Sequence, residues 1–168
     1  MELLKEIYNK DIGVKNQKSV TYTVRKAARA ILFDKENKVA MLFVSRDGYH
    51  KIPGGGVENN EDIKTALARE IKEETGCTAK IGKEVGMIIE YRDKFKKIQL
   101  SYCYMAKVSK YGNHSFTKSE KDAGFQIKWM TLHEAIKKLS KDSPTIYGGK
   151  FIVKRDLIFL KRAKNIEE

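Results

Sequence analysis

Residues 53–77 read Pro53-Gly54-Gly55-Gly56-Val57-Glu58-Asn59-Asn60-Glu61-Asp62-Ile63-Lys64-Thr65-Ala66-Leu67-Ala68-Arg69-Glu70-Ile71-Lys72-Glu73-Glu74-Thr75-Gly76-Cys77. The glycine cluster must be loop. From about Glu61 to Thr75 the pattern turns helical, with Ile63, Leu67 and Ile71 four apart on one face. Asn59 or Asn60 can cap the start, and Gly76 can supply the left-handed residue that ends the helix. Glu70, Glu73 and Glu74 stand at i, i+3 and i+4, which places three carboxylates within an arc of about 100°. Like charges that close repel one another. Arg69 can offset one of them, and Lys72 points elsewhere. A hard cation such as Mg²⁺ removes the repulsion, because it takes carboxylate oxygens and keeps waters for substrate phosphates. An ordinary solvated acidic face would carry the same glutamates, so the surroundings must decide.

Read as a whole, the segment is Gly55, five residues, Glu61, seven residues, then Arg69-Glu70-Ile71-Lys72-Glu73-Glu74-Thr75-Gly76-Cys77. This resembles the Nudix box, G-x5-E-x7-R-E-U-x-E-E-x-G-U with U aliphatic. Every fixed position matches, and the one departure is Cys77 at the last aliphatic place, a small apolar substitute that should still pack. The resemblance implies a Nudix-type α/β/α sandwich, with a mixed sheet between helices, and a divalent cofactor, Mg²⁺ with Mn²⁺ as substitute. It assigns the metal to the Gly54 carbonyl and to Glu70, Glu73 and Glu74. Arg69 would position the glutamates through charge-assisted hydrogen bonds, and Glu61 would orient from the helix entrance. The implied reaction is attack of a metal-activated water on phosphorus, without a covalent intermediate. Cys103, His114 and His133 are therefore not nucleophile candidates. The general base is Glu73 or, as second choice, Glu120 on the loop 110–124, which resembles the family's acid-bearing loop.

The box defines the reaction and leaves the substrate open. The leading reading is hydrolysis of a phosphoanhydride bond in a nucleoside diphosphate derivative. A nucleoside triphosphate, modified or not, would be cut to the monophosphate and pyrophosphate. Dinucleoside polyphosphates, nucleotide sugars and RNA 5′ ends are alternatives within that chemistry, and a non-catalytic nucleotide sensor is an alternative outside it. Arg29, Arg46 and Arg92 are candidates for phosphate contact, as is Arg25, four residues from Arg29 on the same face of an extended segment. Tyr91 can stack on a base, although at a strand end an aromatic more often simply packs.

Outward from the box, Ala27–Phe33 and Val39–Val44 read as strands around a turn at 34–38. Ala79–Tyr91, Ile98–Val108 and Phe125–Met130 read as further strands. Thr131 with Glu134 opens a capped helix, and a basic terminal helix runs over about 150–164. No linker or repeat divides residues 1–168, so one domain is expected, with its box at 55–77.

Hydrophobic residues make up 41% and charged residues 33% of the 168, enough apolar material for one core. Two cysteines are too few for a disulfide framework, and Cys77 and Cys103 read as buried free thiols. No apolar run suits a bilayer, and the first residues lack the pattern of a signal peptide, so a cytoplasmic enzyme without a membrane partner is expected. Net charge is +12, from 34 Lys+Arg against 22 Asp+Glu. That favours anionic partners (nucleotides, nucleic acid or a membrane surface) no more than it reflects a solvated lysine-rich surface. No aromatic-rich motif supports nucleic acid, and a small nucleotide substrate is the partner expected. Oligomeric state is left open, a homodimer being compatible.

Overall fold

The computed structural model describes residues 1–167. Among them, seven strands form one mixed sheet: β1 (Leu3–Ile7), β2 (Thr23–Phe33), β3 (Lys38–Val44), β4 (Tyr49–Lys51), β5 (Thr78–Arg92), β6 (Lys97–Lys110) and β7 (Phe125–Thr131). The order is β1-β5-β6-β2-β3-β4, with β7 also on β3. The β1–β5 and β2–β6 pairs are parallel and the others antiparallel. Four helices accompany the sheet: α1 (Ile63–Thr75), α2 (Lys118–Asp122), α3 (Leu132–Leu139) and α4 (Tyr147–Glu167).

Alternation along β2 builds both cores. Ala28, Ala30 and Leu32 pack with Ala66, Leu67 and Ile71 of α1 on one face. Ile31 and Phe33 pack with Phe151, Phe159 and Leu160 of α4, and with Leu139 of α3, on the other. The small side chains at 28 and 30 let α1 lie close to the sheet. The sandwich expected from the sequence is the fold observed. Cys77 and Cys103 are both buried and unpaired with each other. No helix of the described residues is long and apolar enough to cross a membrane.

Several boundaries move. The box helix starts at Ile63, capped by Asp62, whose side chain accepts from the Thr65 amide at 2.8 Å. Asn59 and Asn60 are not the cap. A cap needs extended backbone, which Asp62 has at φ −83°, ψ 169°, whereas Asn60 sits in the left-handed region at φ 69°. Gly76 does end the helix, at φ 75°, donating to the Lys72 carbonyl at 2.9 Å. The last helix begins at Tyr147, three residues before the expected Lys150, because Gly148 and Gly149 are absorbed into its first turn. Strands β1 and β4 and helix α2 carry short or weakly patterned sequence that periodicity does not reveal.

Candidate active site

The chain enters the site from β4. Lys51 is the last strand residue, and Ile52-Pro53 lead into the glycine turn. The turn lies against β2: the Ala30 amide donates to the Pro53 carbonyl at 3.0 Å and the Ala28 amide to the Gly55 carbonyl at 2.9 Å. Gly54 has φ 129°, and a Cβ there would collide with the Ala28 carbonyl oxygen. A Cβ on Gly55 would strike the Glu70 carboxylate. Glycine is needed at both places because backbone and carboxylate meet directly.

The α1 glutamates end in three environments. Glu74 is buried; its Oε1 lies 2.8 Å from Lys51 Nζ and its Oε2 accepts from the Gly54 amide at 2.6 Å. Glu70, with a side chain 13% exposed, accepts from Arg69 Nη1 at 3.0 Å. Burial, reinforced by the charge of Glu74 and opposed by Arg69, raises its pKa above the ordinary glutamate value. Glu73 is the open one, 42% exposed and 3.3 Å from Arg69 Nη1.

Arg69 ties the entrance of α1 to its acidic face. It donates to Glu61 Oε1 at 2.7 Å, to the Gly56 carbonyl at 3.0 Å, and to Glu70 and Glu73. Its pKa is raised, chiefly by the Glu61 hydrogen bond, and that of Glu61 is lowered, chiefly by Arg69. Both charges are thus held through the neutral range.

The other expected site residues separate. Arg29 is buried and donates through Nη1 to the Gly54 carbonyl, the oxygen assigned to metal from the sequence. Burial, and then the nearby Arg155 charge, lower its pKa to about 10. Arg46, with a side chain 59% exposed, pairs with Asp47 in the β3–β4 turn. Tyr91 is not free to stack on a base: its ring lies flat on Tyr8 at 4.5 Å, meets Tyr22 edge-on, and its hydroxyl donates to Glu6. Arg92 is buried and donates to Glu90 at 2.7 Å. Glu120 closes a capping box on α2, accepting from the Thr117 amide at 2.7 Å.

Two residues outside the box complete the site. Lys51, the cation against Glu74, is signalled in the sequence only by standing just before Ile52-Pro53-Gly54. Arg25 donates to Gln99 Oε1 at 2.6 Å, and a Cβ on Gly56 would approach its Nη2 to 2.6 Å. The charge of Glu70 reaches it. The period of two along β2 places Arg25 and Arg29 on one face, with Arg25 toward Gly56 and Arg29 toward Gly54.

Among the described residues, no three Asp, Glu, His or Cys side chains converge as a ready-made metal cluster. Each of the three α1 glutamates instead leans on a cation of the chain, Glu74 on Lys51 and both Glu70 and Glu73 on Arg69. The donor set still fits a hard divalent ion. It is all oxygen, sits beside bare backbone, and includes one carboxyl, Glu70, whose charged form is under-compensated. Glu70 and Glu74, one helical turn apart, would hold the ion, with Glu73 beside them.

A mixed sheet between helices, with a glycine turn lying on a Glu-rich helix, is the architecture of the phosphoanhydride hydrolases that carry the box. The NUDIX domain model matches residues 23–147, and the chain belongs to the Nudix family. Over 123 residues it is 31% identical to diphosphoinositol polyphosphate phosphohydrolase 2 of Rattus norvegicus, covering 71% of this chain and 65% of that protein. It is 28% identical over 123 residues to diphosphoinositol polyphosphate phosphohydrolase 3-beta of Homo sapiens, covering 71% of this chain and 72% of that protein. In fold it is similar to the MutT protein of Methanosarcina mazei, at a TM-score of 0.60, 20% identity, and coverage of 87% of this chain and 99% of that one. The Ap4A hydrolase of C. elegans gives a TM-score of 0.60 at 20% identity, covering 87% of this chain and 100% of that one.

Proposed function

We propose that this chain hydrolyses a phosphoanhydride bond in a small, polyphosphorylated substrate, with Mg²⁺ as cofactor and Mn²⁺ as a substitute. The observation that carries the reading is Glu70, a largely buried carboxylate packed against Gly55 and beside Glu74, its pKa raised by burial first and by the charge of Glu74 second. Glu70 and Glu74 would hold a divalent ion, which would supply charge neutralisation on the phosphate and a lower pKa for an attacking water. The chain does the rest. Arg69 holds Glu70 and Glu73 in place, and Glu73, the exposed member, takes the proton from water. Arg25, half-buried beside Gly56, receives phosphate charge. Glu120 is the weaker candidate for the base, because its carboxylate is engaged in capping α2.

A nucleoside triphosphate, cut to monophosphate and pyrophosphate, is one substrate reading. A second has specific support: the relative that is 31% identical is named for diphosphoinositol polyphosphates, and Tyr91, a candidate for stacking on a base, is covered by Tyr8. The deciding experiment is phosphorus NMR of products from nucleoside triphosphates, dinucleoside polyphosphates, nucleotide sugars and diphosphoinositol polyphosphates with Mg²⁺. Divalent-dependent loss of a P–O–P resonance from one class is expected, with the two phosphate-bearing products identified from their new resonances. No turnover of any class would overturn the reading and favour a nucleotide-binding sensor.

A further inference from the structure

Helix α4 packs on the sheet through Phe151, Phe159 and Leu160, yet Arg155 and Asp156 between them are both 0% exposed. Buried charges are rare and costly unless paired and hydrogen-bonded. Here both charges are paired and hydrogen-bonded, with Arg155 Nη2 alone left without a partner. Asp156 Oδ1 accepts from Arg155 Nε at 2.7 Å, and Asp156 Oδ2 accepts from the Ile52 amide at 2.9 Å. Arg155 Nη1 in turn reaches Glu90 Oε2 at 3.3 Å, and Glu90 also accepts from Arg92, Gln99 and Ser101. Gln99 ends this chain of bonds on Arg25.

Ile52 is where the backbone leaves β4 for the glycine turn. Its amide has passed the last strand pair, Leu42 with Lys51, and finds its acceptor on the helix. The following backbone groups are held by others: Pro53 by Ala30, Gly54 by Glu74 and Arg29, and Gly55 by Ala28. Asp156 therefore fixes the first residue of a turn whose later residues carry the site. Well-packed apolar residues in place of the buried ion pair would give comparable stability. None would hold that amide.

We propose that Asp156 is a positioning residue for the glycine turn, so that the C-terminal helix sets the placement of Gly54 and Gly55 against Glu70 and Glu74. This rests on the function proposed above for those glutamates. Asp156→Asn is the test, since an asparagine has one acceptor oxygen: the charged Arg155 Nε–H claims it, and the NH₂ then faces the Ile52 amide, donor against donor. Phe159→Leu is the control, a core change on the same helix that keeps the Ile52 bond.

Amide exchange at Gly54 in the metal-free protein should rise by about 10-fold in Asp156→Asn. Mn²⁺ affinity, read by electron paramagnetic resonance, should weaken by about 10-fold. Phe159→Leu should lower Tm and move neither. Equal Gly54 exchange and equal Mn²⁺ affinity in the two variants would overturn the proposal. Should Asp156→Asn not fold, the Ile52 amide of the unsubstituted protein decides: it is expected to exchange only on global unfolding, and fast exchange refutes the role. Neither readout needs turnover, so failure of the phosphoanhydride reading would show separately, as absent hydrolysis in the unsubstituted protein.

Discussion

The ammonium of Lys51 lies 2.8 Å from Glu74 Oε1, while the Gly54 amide occupies the other oxygen of the same carboxylate. One glutamate thus joins the end of β4, the glycine turn and the acidic helix. Without a divalent ion, Lys51 is the charge that makes burial of Glu74 tolerable. Removing one partner of a buried pair strands the other.

Lys51→Met should therefore destabilise the metal-free protein by about 3 kcal/mol, as read by urea unfolding with EDTA present. Saturating Mg²⁺ should raise its Tm by more than it raises that of the unsubstituted protein, because the ion replaces the missing charge. Unchanged stability in EDTA would mean that Glu74 has no need of Lys51.

Glu73 and Glu74 should separate by stability and converge on rate. Glu73 is 42% exposed and leans on Arg69, whereas Glu74 is buried between Lys51 and Gly54. Glu73→Gln and Glu74→Gln should each lower kcat by at least about 100-fold. Only Glu74→Gln should also lower Tm in EDTA, since it leaves Lys51 facing a neutral amide. Near-normal kcat in both variants would sink the assignment of the reaction to this helix.

Glu120 offers a discrimination between a base and a cap. Its carboxylate accepts from the Thr117 amide at 2.7 Å, and the Thr117 hydroxyl accepts from the Glu120 amide at 3.3 Å. Loss of such a cap costs about 1 kcal/mol. Glu120→Ala should keep kcat within about threefold while shifting Tm slightly, whereas loss of a general base costs at least about 100-fold. A large fall in kcat at unchanged KM would move the base from Glu73 to Glu120.

What the sequence disclosed and what it hid follow one division. The box was legible because its contacts are local: Arg69, Glu70, Glu73 and Glu74 meet within one helix at spacings fixed by its period, and the sandwich followed from alternating strands. Lys51, Glu90, Arg155 and Asp156 were not legible. Their partners stand 23, 65 and 104 residues apart in the chain, and no periodicity reports a charge buried on the apolar face of a helix. The packing partner of Tyr91 was hidden for a related reason. The strand β1 that brings Tyr8 onto the Tyr91 ring was too short to recognise.

The raised pKa of Glu70 gives a pH dependence whose sign can be stated. Its causes are burial first and the charge of Glu74 second, with Arg69 opposing. The folded, metal-free protein holds this proton at pH values where the unfolded chain has released it. Between the ordinary glutamate pKa and the raised one, the unfolded state binds fewer protons, so stability falls as pH rises through that window. Above the raised value the strain is fully present, and below the ordinary glutamate range it is gone. Glu70→Gln should therefore raise Tm in EDTA at pH 7, and the gain should vanish in acid. Saturating Mg²⁺ should reverse the order at pH 7, since the ion compensates the carboxylate and finds a poorer ligand in the amide. Thermal melts of both proteins across pH, with EDTA and with Mg²⁺, check each half. A Glu70→Gln protein less stable than the parent in EDTA at pH 7 would show that Arg69 alone balances this carboxylate, and would remove the physical reason for placing a cation there.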